Sequence, residues 1–153
     1  MPSNLILFPT DFSHNGDSAL GIATSLAREA GAKLLIVHVI EPEAAYASGE
    51  FYYGVPNPPT DELWRMLREV RPAVSTVRCE HRLLSGTPAA AIVELAGKEN
   101  VDLIVMSTHG RTGLKRLLMG SVAEAVVRNA TCPVMTFKQS AAGLSKAKSS
   151  KPS

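Results

Sequence analysis

The stretch Ser107-Thr-His-Gly-Arg-Thr-Gly-Leu-Lys-Arg-Leu-Leu-Met-Gly-Ser121 leaves a short apolar run and ends where a helical pattern starts at Val122. It carries Gly110, Gly113 and Gly120. Glycine lets backbone amides approach an anion without a Cβ in the way, and a helix start adds unpaired N–H groups and the positive end of a dipole. The chemistry such a loop can do is phosphate binding. Arg111, Lys115 and Arg116 lie in the same stretch and could add charge-assisted hydrogen bonds, although loop cations more often form a solvated face. His109 has no evident nucleophile or orienting partner in sequence, so a loop-structuring role suits it better than catalysis.

Ser121 has a competing duty. Ser121-x-x-Glu124 reads as a capping box, with the serine hydroxyl accepting from the Glu124 amide and Glu124 reaching back. A second acidic candidate, Asp11, follows the first apolar run in Pro9-Thr10-Asp11. It can cap the entry turn of the next helix, contact a sugar or base, or share a magnesium ion with phosphate oxygens.

The elements that must position these residues follow from periodicity. Leu5 to Phe8, Lys33 to Ile40 and Val101 to Met106 are nearly continuous apolar runs, as expected for strands buried on both faces. His38 inside the second reads as a satisfied core histidine rather than a ligand. Thr76 to Leu84 alternates apolar and polar residues and reads as an edge strand, and Pro133 to Phe137 as a fifth strand.

Between the strands lie four helical patterns. The first has Ser13 as cap, Ala19, Ile22, Ala23, Leu26 and Ala30 as its inner face, and Gly31 as its stop. The second has Thr60 as cap, Leu63, Met66, Leu67 and Val70 inside, and Pro72 beyond it. The third has Thr87 as cap, Pro88 at its first position, and Ala89, Ile92, Val93 and Ala96 inside. The fourth, Val122 to Ala130, turns Ala123, Val126, Val127 and Ala130 to the core. From Glu41 to Pro59 the pattern lapses, with four prolines and a cluster of Tyr46, Phe51, Tyr52 and Tyr53. This is either a surface excursion packed by its own rings or a lid at the end of the second strand.

Strands alternating with helices, joined by right-handed crossovers, give an open five-stranded parallel sheet with helices on both faces. The apolar strands belong at the centre and the alternating one at an edge, which the order 3-2-1-4-5 satisfies. That order puts the topological switch between strands one and four, where open α/β sheets bind ligands. Asp11 and the 107–121 loop therefore meet there, with Val39 at the end of strand two close by. Neither G-x-x-x-x-G-K-[ST] nor a G-x-G-x-x-G after the first strand occurs, so a P-loop nucleotidase and a dinucleotide fingerprint are both excluded.

The loop resembles the signature of the nucleotide-binding universal stress proteins: glycine, two residues, glycine, nine residues, then glycine with serine or threonine. Gly110, the nine residues Arg111 to Met119, and Gly120-Ser121 match it, Asp11 and Val39 match the family's other usual positions, and Ser107 stands where the family has its first glycine. The resemblance covers roughly residues 3–138. It implies a Rossmann-like fold of the adenine nucleotide alpha hydrolase kind, with ATP or AMP, with or without magnesium at Asp11, across the switch point. The candidate contacts are Pro9, Thr10, Asp11, Val39, Ser107, Thr108, Gly110, Arg111, Gly120, Ser121 and Val122. It also implies a stress-response protein that works by binding and homodimerisation through the fifth strand, with at most slow ATP hydrolysis. The alternative is a dimeric interaction protein that has lost the nucleotide, for which Ser107 is the best argument.

The totals agree. A chain of 153 residues with 45% hydrophobic and 20% charged residues suits one α/β domain, here residues 1–138, followed by a flexible Ser/Ala/Lys tail, 139–153. A net charge of +2 without a basic run gives no nucleic-acid stripe. No apolar run approaches the roughly 18 residues of a membrane span, and the N-terminus does not read as a signal peptide. Cys79 and Cys132 have no metal-ligand spacing and read as reduced, buried thiols, so the expected compartment is the cytoplasm.

Overall fold

A computed structural model describes residues 4–13, 17–42, 58–108 and 119–138. Its strands are β1 (Leu5–Pro9), β2 (Lys33–Ile40), β3 (Cys79–Ser85), β4 (Leu103–Ser107) and β5 (Val134–Phe137). Its helices are α1 (Asp17–Ala30), α2 (Thr60–Arg68), α3 (Pro88–Lys98) and α4 (Ser121–Asn129). All pairings are parallel and the order is β3-β2-β1-β4-β5, as the apolar character of the strands requires.

Period-two alternation splits the core into two layers. On one face Leu7, Leu35, Val37, Ile104 and Met106 pack with Ile92, Leu95 and Ala96 of α3 and Ala123 and Val126 of α4. On the other Ile6, Phe8, Leu34, Ile36 and Val105 pack with Ala19, Ala23 and Ala27 of α1 and Leu67 of α2. The α1 contact is an alanine stripe at i, i+4, i+8, and small side chains let the helix sit close to the sheet. Ala30, expected inside, is exposed because the stripe ends at Ala27. Val127 is likewise 45% exposed, since it lies about 100° around α4 from the fully buried Val126.

Helix ends show where side-chain chemistry prevails. α1 stops in a Schellman turn: Ala32 N donates to Ala27 O at 2.8 Å, Gly31 N to Arg28 O at 3.4 Å, and Gly31 has φ +65°. α3 stops the same way, with Asn100 at φ +55° in the glycine position and Val101 N donating to Ala96 O at 2.9 Å. The starts differ from expectation. The described part of α1 begins at Asp17, and residues 14–16, which separate it from the expected cap Ser13, lie outside the described residues. Thr60 is already helical and Pro59 holds the cap position. Thr87 is the cap residue of α3 with Pro88 beginning the helix, but its hydroxyl makes no capping bond. The two cysteines are free and half-buried rather than fully buried, and burial pushes both thiols above their ordinary range.

Candidate functional site

The carboxyl ends of the strands open into a cavity of about 410 Å³. One wall is the end of β1 and the turn after it, Pro9, Thr10 and Asp11. A second is the end of β2, including Val39, and a third is Ser107 and Thr108 at the end of β4. Gly120, Ser121 and Val122 at the start of α4 close the ring. β1 and β4 are neighbours whose crossovers leave in opposite directions, so this is the switch point of the sheet.

The α4 start is tied to the sheet by backbone. Gly120 N donates to Thr108 O at 2.7 Å, and Thr108 N to Phe137 O at 2.9 Å on β5. Gly120 is the cap residue, extended at φ −68° and ψ 163°, and its carbonyl accepts the first helical bond from Glu124 N at 3.0 Å. The amides of Ser121, Val122 and Ala123 are those a helix cannot satisfy itself, and all three residues line the cavity.

The expected capping box is absent. With the cap one residue earlier at Gly120, Ser121 is the first helical residue and makes no capping bond, and Glu124 turns away to pair with Arg128 at 2.9 Å. An extended Gly120 gives the chain a capping conformation without a side chain, so the serine hydroxyl is left beside the cavity.

The opposite wall is a tightly braced turn. Thr10 N donates to Val37 O at 2.8 Å, Phe12 N to Thr10 Oγ1 at 3.0 Å, and Ser13 N to Asp11 Oδ1 at 2.9 Å. Asp11 therefore closes its own entry turn with one carboxylate oxygen. Oδ2 makes no hydrogen bond among the described residues. Phe12 sits at φ +69°, a conformation costly for a bulky side chain, and the buried Ser13 hydroxyl has no hydrogen-bond partner among the described residues. Backbone strain of the kind Phe12 shows clusters at functional sites.

His38 Nδ1 lies 2.8 Å from Thr10 O, which can only accept, so Nδ1 carries the proton. The expectation of a satisfied histidine holds, yet its partner belongs to the Asp11 turn and the ring also lines the cavity.

Residues 3–138 match the model of the universal stress protein family. The chain belongs to that family. Universal stress protein MJ0531 of Methanocaldococcus jannaschii is 36% identical over 138 residues, covering 88% of this chain and 81% of its own. The solved structure of protein MJ0577, from the same organism, superposes with a TM-score of 0.75 at 29% identity, over 92% of this chain and 99% of the other. A universal stress protein solved in complex with cAMP superposes with a TM-score of 0.67 at 26% identity, over 92% and 100%.

In this universal stress protein, the cavity gathers Pro9, Thr10, Asp11, Val39, Ser107, Thr108, Gly120, Ser121 and Val122. Gly110, Arg111, His109, Lys115 and Arg116 lie outside the described residues, as does most of the 41–59 loop. Ser107 ends β4 in extended backbone paired with Phe137, a conformation open to any residue, so strand geometry does not demand the family's glycine there.

Sequence reasoning missed the apolar half of the cavity. Leu63 and Met66 of α2, Pro58 before it, Ile92 of α3 and Met106 of β4 all line it. Leu63 and Met66 belong to the apolar face recognised for α2, but periodicity says only that they face inward. A second, smaller cavity of about 250 Å³ shares Thr10 and Met66 with the first, so Met66 stands as a partition between them. Among the described residues no group of three or more His, Cys, Asp or Glu side chains could hold a metal, and no helix is long and apolar enough to cross a membrane.

Proposed function

We propose that this universal stress protein binds an adenine mononucleotide, ATP or AMP, in the switch-point cavity and acts in the stress response through that binding and through homodimerisation. The observation that carries the reading is the α4 start facing the Asp11 turn across one cavity. Amides that the helix leaves unpaired, a serine hydroxyl without a capping duty and a positive dipole end converge on one side, which suits phosphate oxygens. On the β2 side Val39, Leu63 and Met66 offer apolar surface that suits a base, beside the polar His38 and Glu41.

The cavity volume lies within the roughly 300 to 1,000 Å³ of small-molecule sites. The relative solved with cAMP supports the choice of adenine. Phosphates would lie against Gly120, Ser121 and Val122, with Gly110 and Arg111 of the loop completing that side. The nucleoside would lie between Asp11 and Val39. Magnesium accompanying ATP would share Asp11 with phosphate oxygens, a hard cation on a carboxylate. Bound nucleotide supplies charge and a rigid plug at the rim; the chain supplies orientation. The sequence carries no Walker lysine motif, so hydrolysis at most is slow.

The edge strand β5 supports the dimer. Met135 is 36% exposed on it, apolar surface at the sheet edge that a second copy would cover. Free thiols at Cys79 and Cys132 fit a cytoplasmic setting.

The test is Gly120→Val. Gly120 occupies backbone that valine can adopt, so the variant folds, but a branched side chain then stands at the phosphate side. Equilibrium dialysis with radiolabelled AMP should show affinity lower by at least about tenfold, equivalent to about 1.4 kcal/mol. Unchanged affinity would place the nucleotide elsewhere.

A further inference from the structure

We infer that His38 is the positioning residue of the Asp11 turn: its Nδ1–H holds the Thr10 carbonyl and its ring backs Phe12, fixing Asp11 at the cavity. This rests on the nucleotide reading of that cavity. The turn is not one the backbone would choose unaided. Phe12 at φ +69° lies in the left-handed region, where a bulky residue persists only if its surroundings over-determine it. The local bonds, Phe12 N to Thr10 Oγ1 at 3.0 Å and Ser13 N to Asp11 Oδ1 at 2.9 Å, close the turn upon itself and do not say where it points. Two anchors connect it to the sheet. One is the Thr10 amide on Val37 O at 2.8 Å; the other is the Thr10 carbonyl, which accepts from His38 Nδ1–H at 2.8 Å. Both partners lie on β2, so Thr10 is gripped at its N–H and its C=O by one strand.

The ring does a second job. The Phe12 and His38 rings lie 4.3 Å apart between centroids at 38°, so the strained residue is packed against the imidazole that braces the preceding carbonyl. Sheet pairing alone would have satisfied the Thr10 amide. A donor aimed at its carbonyl is the added feature, and in neutral histidine it fixes the tautomer with the proton on Nδ1.

Two substitutions separate the anchor from the ring. His38→Phe keeps an aromatic neighbour for Phe12 and loses the donor. His38→Asn loses the ring and keeps an N–H at nearly the Nδ1 position. The expected result in the full chain without ligand is exchange of the Phe12 and Ser13 amides faster by about tenfold or more in His38→Phe, returned toward wild type in His38→Asn. AMP affinity should follow the same order, about tenfold weaker in His38→Phe and largely restored in His38→Asn. A structural role alone would lower melting temperature and affinity together in both variants. Wild-type exchange in His38→Phe, or no rescue by His38→Asn, overturns the inference. If exchange responds as expected while wild type binds no AMP, the anchor stands and the nucleotide reading falls.

Discussion

At Ser121 a single backbone angle decides what a hydroxyl is for. The residue pattern makes it half of a capping box, but the cap lies at Gly120, and the hydroxyl stands at the cavity with no bond among the described residues. Stability and binding should therefore separate. Ser121→Ala should change unfolding free energy in urea by less than about 0.5 kcal/mol, where loss of a true capping serine costs about 1 kcal/mol. The same change should weaken AMP binding severalfold in a dialysis assay. Asp11 makes the complementary case, since Asp11→Asn keeps an oxygen for the Ser13 amide and removes the charge. That variant should retain its fold by circular dichroism and lose any magnesium enhancement of ATP binding.

At the scale of elements, α2 serves two masters along one face. Leu67 is fully buried in the layer with α1, whereas Leu63, one turn before it, and Met66, its neighbour in sequence, line the cavity. Leu67→Ala should cost about 2 to 5 kcal/mol of stability by urea unfolding. Met66→Ala should leave stability closer to wild type and weaken AMP by roughly fivefold, about 1 kcal/mol, through loss of an apolar wall. The sheet itself was legible because three strands are apolar on both faces and β3 alternates, a difference that burial alone dictates. Helix starts were less so: serine and threonine mark a cap only when the preceding backbone does not supply one, and Pro59 and Gly120 do. The apolar half of the cavity was hidden for a different reason. Leu63, Ile92 and Met106 look like any core residue until the spacing between elements leaves them facing a gap.

For the whole molecule, the parallel sheet gathers five strand ends on one rim and puts β5 at one edge, the two places where the proposed nucleotide and the proposed dimer contact belong. The proposed dimer gives a direct expectation: Met135→Lys should shift sedimentation toward the monomer at micromolar protein, and an unchanged profile would move the interface off β5. The proposed ligand site and the proposed interface share a backbone connection, because Thr108 N bonds Phe137 O of β5 while Thr108 O accepts from Gly120 N at the helix start. Whether the cavity takes a nucleotide is the claim on which the rest depends, and calorimetric titration of the full chain with AMP, ATP and cAMP tests it most directly. The structure predicts saturable one-to-one heat with at least one of the three, abolished by Gly120→Val. No heat with any of them, from folded wild-type protein, would contradict it.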